Sequence, residues 1–404
     1  MKHKKLFISL TAVFSVIILL SMFLIIWFLG DSYKDFDDNF TKEFKIAGLK
    51  DGAVPQGLGN CSYEYEVTGA DGEKTKKYQQ YFFMTAYMVD GSASRIYVTG
   101  ADTGYEGYVT MKNVDGSEYK GHCGGIATNG TFLYVTGEGN VYVAKASSTD
   151  YATVAAEIIT KAKLPAGDEN KFVQFTASFD ANCGADFCFY YDDPATSKTY
   201  DRLYVGEFYR KGKWDTDASH HITTPNGLEN TAFAYEYYVN VSAEPYGLTK
   251  ISDDNVAEAD KVPKIQKIIS IPEKIQGFAR AGNAIALSQS YSLANSHILV
   301  YDWAKLTTTE NSDTFLNLKG KNFPYNGVNT KSGVQYTDKT VRVYFADSNN
   351  SEVFLNDYSI PSMSEGMCTV GNKVYVLFES AGKKYRLFVR EQLKYVYSFR
   401  LRNN

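Results

Sequence analysis

The side chains best suited to chemistry are one histidine and two glutamates far apart in the chain: His122 in HCGGIATNGTFLYVTG, Glu207 in DRLYVGEFY and Glu365 in SEGMCTV. An imidazole and a carboxylic acid brought together can pass a proton, so these residues would suit hydrolysis or another acid–base reaction. Gln56 and Gln276 each precede a glycine, as Glu365 does. Amides at such positions both donate and accept hydrogen bonds, which suits a polar ligand. The pair His220–His221 in DTDASHHITT could ligate a metal with Asp215 or Asp217. Neighbouring side chains on an extended chain point apart, however, so an exposed loop and no metal site is the expectation. There is no G-x-S-x-G elbow, P-loop or D-x-D-x-D-G calcium loop, and no cofactor is expected.

Strands must position these groups. SRIYVTG, NVYVAKA, DRLYVGEF, SHILVYDW and KTVRVYFA alternate apolar with polar residues and are rich in β-branched and aromatic side chains. That is the pattern of half-buried antiparallel strands. Helical periodicity is confined to Tyr151–Lys163 and the short approach Asp31–Phe44. The expectation is an all-β domain.

A repeat runs through the strands. CGGIATNGTFLYVTGEG, IQGFARAGNAIALSQSY and SEGMCTVGNKVYVLFES share a glycine, an apolar residue, a turn and a strand, with eight residues from Gly125 to Leu133, Gly277 to Ile285 and Gly366 to Val374. Two looser copies begin at PQGLGN and at FTASFDAN, the latter continuing into DRLYVGEFY and FAYEYYVN. The pattern resembles the exported bacterial β-propellers over about Pro55 to Leu401, without a WD dipeptide, kelch glycine pair or Asp box. Five blades are preferred, closed by pairing near the two chain ends; a sixth around GVQYTDKTVRVYFADS is the alternative.

The resemblance implies inner strands that all begin at one end of a central channel. Gln56, His122, Gln276 and Glu365 would then converge there, with Ser178 or Asp180 as the fifth member. Tyr87, Glu138, Glu207, Ser290 and Glu379 would follow at the end of each second strand. Such a ring can hold channel water, bind a polar ligand such as a glycan or peptide, or catalyse hydrolysis with Glu365, His122 and Glu207. Some five-bladed propellers are glycosidases; where their first blade begins with an aspartate, this chain has Gln56. A surface ligand-binding propeller is the leading expectation, a glycosidase-like hydrolase the second, and a propeller serving only structure or protein contacts the third.

Residues 1–5 carry three lysines, and residues 6–30 form 25 positions without a charge, long enough to span a bilayer. The run ends in IIWFLGDSYKDFDD with no small-residue cleavage site, which favours a retained signal anchor over a cleaved peptide. Lysines before the span and acids after it place the chain from residue 31 outside the cytoplasm, as a linker over 31–54 and a propeller over 55–404. That exported part has 39 basic and 46 acidic residues, a balance that argues against nucleic acid as a partner and leaves the membrane to the N-terminal helix. Cys183 and Cys188 could staple a tight hairpin; Cys61, Cys123 and Cys368 fit buried thiols as well as bridges. Sequons at Asn39, Asn60, Asn129, Asn240 and Asn349 mark loops in a host that glycosylates.

Overall fold

The alternating segments pair as antiparallel meanders and assemble into five blades around an axis. The structure, a computed structural model, describes residues 33–401 apart from 69–71, 193–200, 253–256, 259–260, 309–313 and 318–339, together with residues 16–18 and 21. Blade I is Ala53–Thr68, Lys74–Met88, Arg95–Gly100 and Gly104–Lys112, with Phe172–Gln174 added in parallel at its outer edge. Blade II is Gly125–Thr128, Leu133–Gly137, Asn140–Ala144 and Ala177–Asp180. Blade III runs from Phe187–Tyr191 through Arg202–Gly206 and Ala232–Tyr238 to Ile265–Ile271. Blade IV is Ile275–Ala281, Ala284–Gln289, Ser296–Asp302 and Phe354–Ile360. Blade V is Ser364–Val370, Lys373–Phe378 and Tyr395–Arg400, completed by Thr41–Lys45 from the N-terminal side.

That last strand closes the ring, with Thr41 opposite Ser398 and Lys42 opposite Tyr397. A closed ring leaves only short outer edges. The repeat inferred from glycine spacing is the first hairpin of blades II, IV and V: Ile126 pairs with Val135, Phe278 with Leu287 and Met367 with Val376.

Three readings are corrected. FTASFDAN does not open blade III; Ala177–Asp180 is the outermost strand of blade II, with Ser178 opposite Tyr142. The inner strand of blade III is FCFYY, Phe187–Tyr191, an almost unbroken apolar run because an inner strand is covered on both faces by neighbouring blades. Nor does KTVRVYFA start a sixth blade, since Thr340–Phe345 lies parallel to Ile265–Ile271 at the outer edge of blade III. The stapled hairpin is also absent: all five cysteines are free thiols, with Cys188 on the inner strand near the Tyr134 carbonyl and Cys183 in the preceding loop.

Apolar clusters fill the spaces between blades. Tyr204 of blade III stacks on Phe278 of blade IV at 4.5 Å between ring centroids, and Phe44 of blade V meets Phe82 of blade I at 4.5 Å. Burying these aromatic faces between sheets is the main stabilising term. Both expected helical segments contain a helix: α1, Lys34–Asn39, and α2, Val154–Ala162. Thr153 caps α2 by accepting from the Ala156 N–H at 3.1 Å. Thr153→Ala is expected to cost about 1 kcal/mol in urea unfolding, and Thr153→Ser to recover most of it. Of the apolar run over 6–30 only residues 16–18 and 21 are described, the rest of that expectation lying outside the described residues; among those described, no helix is long and apolar enough to cross a membrane.

Candidate functional site

The inner strands stand side by side in the order I to V and back to I, so their first residues meet at one end of the channel. The closeness of the strands dictates which residues can sit there. A Cβ on Gly366 would lie 2.5 Å from the Leu58 nitrogen of blade I, and one on Gly125 would lie 2.2 Å from the Cys188 nitrogen of blade III. These contacts align Gly57, Gly125, Phe187, Gly277 and Gly366 around the axis. The residues just before them are Gln56, Gly124, Asp186, Gln276 and Glu365. Asp186 is therefore the fifth ring member; Ser178, on an outer strand, is not.

Blades I and V bring together two of the expected residues, Gln56 and Glu365, with Glu379 of the secondary set. Gln56 is buried, and its Nε2 donates to the Pro55 carbonyl at 2.6 Å and to Glu379 Oε2 at 3.1 Å. Glu365 is buried beside Glu379 and donates a hydrogen bond to it. Burial, and then the charge of Glu379, push the Glu365 carboxyl well above the usual range. Glu379 is raised to about 7, chiefly by burial, against the pull of the Gln56 amide and the Lys384 charge. One proton is shared between two carboxyl groups, with Glu365 as its holder.

His122 completes this cluster from blade II. Its ring stacks on Tyr87 at 5.1 Å and 28°. The imidazole is exposed to the channel mouth, yet the surrounding blade ends and then Lys384 depress its pKa, to about 4. It is a neutral ring at physiological pH and accepts or donates one hydrogen bond through each nitrogen. Lys384 donates to Tyr87 Oη at 2.7 Å, and the Tyr87 and Tyr385 hydroxyls lie 3.4 Å apart. Gln276 is half-buried at the start of the blade IV strand. Of the remaining secondary positions, Glu138 is exposed on a turn and Ser290 accepts from Ser296 at 2.9 Å, so neither joins the carboxyl pair.

Blade III forms a second polar surface. Glu207 is buried; its Oε1 lies 2.5 Å from His220 Nδ1 and accepts from the Phe233 N–H at 3.0 Å, while Oε2 accepts from Gly184 at 3.2 Å. It does not share a contact with His122 or Glu365, so the expected catalytic trio is divided between two clusters. His220 is buried rather than exposed. Asp217 accepts from the Ser219 N–H at 2.9 Å and caps the turn Ala218–His220, which swings the imidazole inward to stack on Phe233 at 4.3 Å. The Asp186 carboxyl is pushed up to about 7 by burial, against the Phe208 N–H that donates to it at 2.7 Å, with the Glu207 charge adding to the rise. These groups, with Asp180 and Trp214, line a cleft of about 410 Å³. Among the described residues no trio of His, Cys, Asp or Glu is arranged to hold a metal ion.

Gly124 links the two surfaces. Blade II presents His122 toward Tyr87, and two residues later a Cβ on Gly124 would lie 2.0 Å from the Asp186 carbonyl oxygen. Asp186 could have been found from the apolar run that follows it, and Lys384 and Tyr385 lie in an irregular loop that carries no periodic signal.

No protein-family model matches this chain, and no curated protein matches it. Among solved structures, the crystal structure of BamB from Moraxella catarrhalis is similar at 8% sequence identity and a TM-score of 0.24, over 79% of this chain and 82% of that one. The five-bladed propeller is read from the sheet topology and the strand registers.

Proposed function

We propose that this protein is a membrane-anchored extracytoplasmic propeller that binds a glycan at the end of its channel where the inner strands begin. The observation that carries the reading is the Gln56–Glu379–Glu365 cluster beside the Tyr87–His122 stack. Carboxyl and amide oxygens with accepting lone pairs left over, beside an imidazole that can donate and flat ring faces, match the hydroxyls and apolar faces of a sugar. The anchor is the apolar run of residues 6–30, with the chain beyond it outside the cell.

Hydrolysis ranks second. Retaining and inverting glycosidases hold their carboxyl groups roughly 5–5.5 or 6.5–9.5 Å apart, whereas a direct hydrogen bond brings Glu365 and Glu379 to about 3 Å. No room is left between them for a glycosidic bond.

The test is a glycan array probed with the full chain in detergent, beside a peptide array. His122→Ala/Glu365→Ala is expected to weaken glycan binding at least tenfold. Glu365→Gln is expected to weaken it only a few-fold if Glu365 is a hydrogen-bonding group, and to abolish turnover if it is a catalytic acid. Binding that is unchanged in the double variant sinks this site, and capture of peptides alone replaces the ligand class. Extraction with alkaline carbonate before and after deletion of residues 1–30 tests the anchor.

A further inference from the structure

A cavity lies at the opposite end of the channel, where the inner strands finish. It encloses about 1200 Å³ and draws on every blade, from Asn60 on blade I to Asn372 on blade V. Its wall is mostly uncharged: the amides of Asn60, Asn129, Asn240 and Asn372 alternate with hydroxyls and with the rings of Tyr190 and Tyr238. Such a lining suits a chain of hydroxyl groups and does not suit an apolar molecule.

Three charged residues interrupt it: Arg280 and the acids Asp192 and Asp201. Arg280, at the end of the blade IV inner strand, is half-buried in this wall. Its guanidinium carbon lies 4.1 Å from the Tyr191 ring centre and 4.4 Å from that of Trp303. Nη1 donates to Tyr204 Oη at 2.9 Å, and Nε faces the Gly282 carbonyl at 3.4 Å. Tyr204 in turn donates to Glu236, whose carboxylate is already met by Lys267 at 2.6 Å and Arg202 at 3.6 Å. Among the described residues no carboxylate pairs with Arg280. Of the two acids in the wall, Asp192 is exposed to solvent and Asp201 is engaged by the Tyr190 hydroxyl at 2.5 Å. Arg280 is thus a guanidinium fixed in orientation by two rings and a phenol, with donors left over and no anion. A fork held in that way is the side chain best matched to a carboxylate or a phosphate.

We infer that this funnel is a second binding site, for a hydroxyl-rich chain that carries an oxyanion, with Arg280 on the anion and the amides on the hydroxyls. The site is independent of the carboxyl pair at the other end of the channel.

Calorimetric titration of the full chain in detergent tests this with three probes: a galacturonic acid hexamer, the neutral galactose hexamer and a glycerol phosphate polymer. One of the two anionic chains is expected to bind at least tenfold more tightly than the neutral one, and which of them does so identifies the anion as carboxylate or phosphate. Arg280→Gln is expected to remove that tenfold preference. Because losing Arg280 also removes packing, Asn60→Asp provides a second test: a new negative charge on the facing wall should weaken the anionic chain several-fold without touching Arg280. Glu138→Gln, on an exposed turn outside both clusters at the other end, should leave the preference intact. Equal affinity for anionic and neutral chains, a preference that survives both funnel variants, or its loss in Glu138→Gln overturns the inference.

Discussion

Gly125→Ala is expected to cost more than about 3 kcal/mol and to leave much of the chain unfolded at room temperature, whereas Gly212→Ala should cost about 1–2 kcal/mol. The two glycines are needed for different reasons. Gly212 has φ +73° with no atom within 4 Å of a built Cβ, so alanine there suffers only the strain of a left-handed backbone, about 1–2 kcal/mol. A Cβ on Gly125 would meet the Cys188 nitrogen at 2.2 Å, Thr136 Oγ1 at 2.6 Å and the Phe187 carbonyl carbon at 2.8 Å. Two of those atoms are backbone of the next inner strand and cannot turn aside. Relief requires blades II and III to part at the axis, which loosens the packing of Cys188 and Tyr134 between them. Ordinary overpacking costs about 1–3 kcal/mol because side chains can shift; here a whole blade must. Urea unfolding of the two variants decides the matter, and equal losses would show that crowding at the axis is not what this glycine relieves.

The same crowding explains how much of the architecture could be read from the sequence. Because inner strands touch through backbone, glycine recurs at Gly125, Gly277 and Gly366 with a constant distance to the second strand, and the blades carrying it are legible. Blade III has Phe187 at that position, so its start left no glycine to find. An alternating stretch, FTASFDAN, imitated an inner strand when alternation in fact marks an outer strand with one exposed face. The site was legible to the extent that the repeat fixed which end of each strand faces the axis. Gln56, His122 and Glu365 therefore meet the expectation of a shared end. Their partners depended on geometry that no spacing encodes. Irregular pairing between Ser364 and Met367 turns Glu365 toward Glu379, and a capped turn folds His220 onto Glu207. Of the histidine pair read as solvent-exposed, His220 is buried against Glu207 because Asp217, three residues earlier, caps its turn.

Raising the pH from about 5 to 8 is expected to reduce stability, and Glu365→Gln should remove a large part of that dependence. The sign follows from proton counting. Glu365 and Glu379 have carboxyls raised above the ordinary 4.5, Glu379 to about 7, and Asp186 is raised from 3.8 to about 7. Between those limits the folded carboxyls hold protons that the unfolded chain has released; the depressed His122 imidazole acts the other way below pH 6.5, but three raised carboxyls outweigh it, so the free energy of unfolding falls as pH rises. A tenfold change in proton affinity corresponds to about 1.4 kcal/mol. On that scale Glu379 and Asp186 each contribute on the order of 2 kcal/mol across the window, because folded chains soften such burial by letting water approach the charged form. A glutamine in place of Glu365 would keep a donor toward Glu379 and could not lose a proton. The variant should therefore match the parent protein near pH 5 and exceed it by on the order of 1–2 kcal/mol at pH 8. Asp186→Asn acts on a separate cluster, so its effect should add to that of Glu365→Gln. Denaturant midpoints at the two pH values measure this directly. A gain in Glu365→Gln that is the same at both would mean that the proton shared with Glu379 is not the origin.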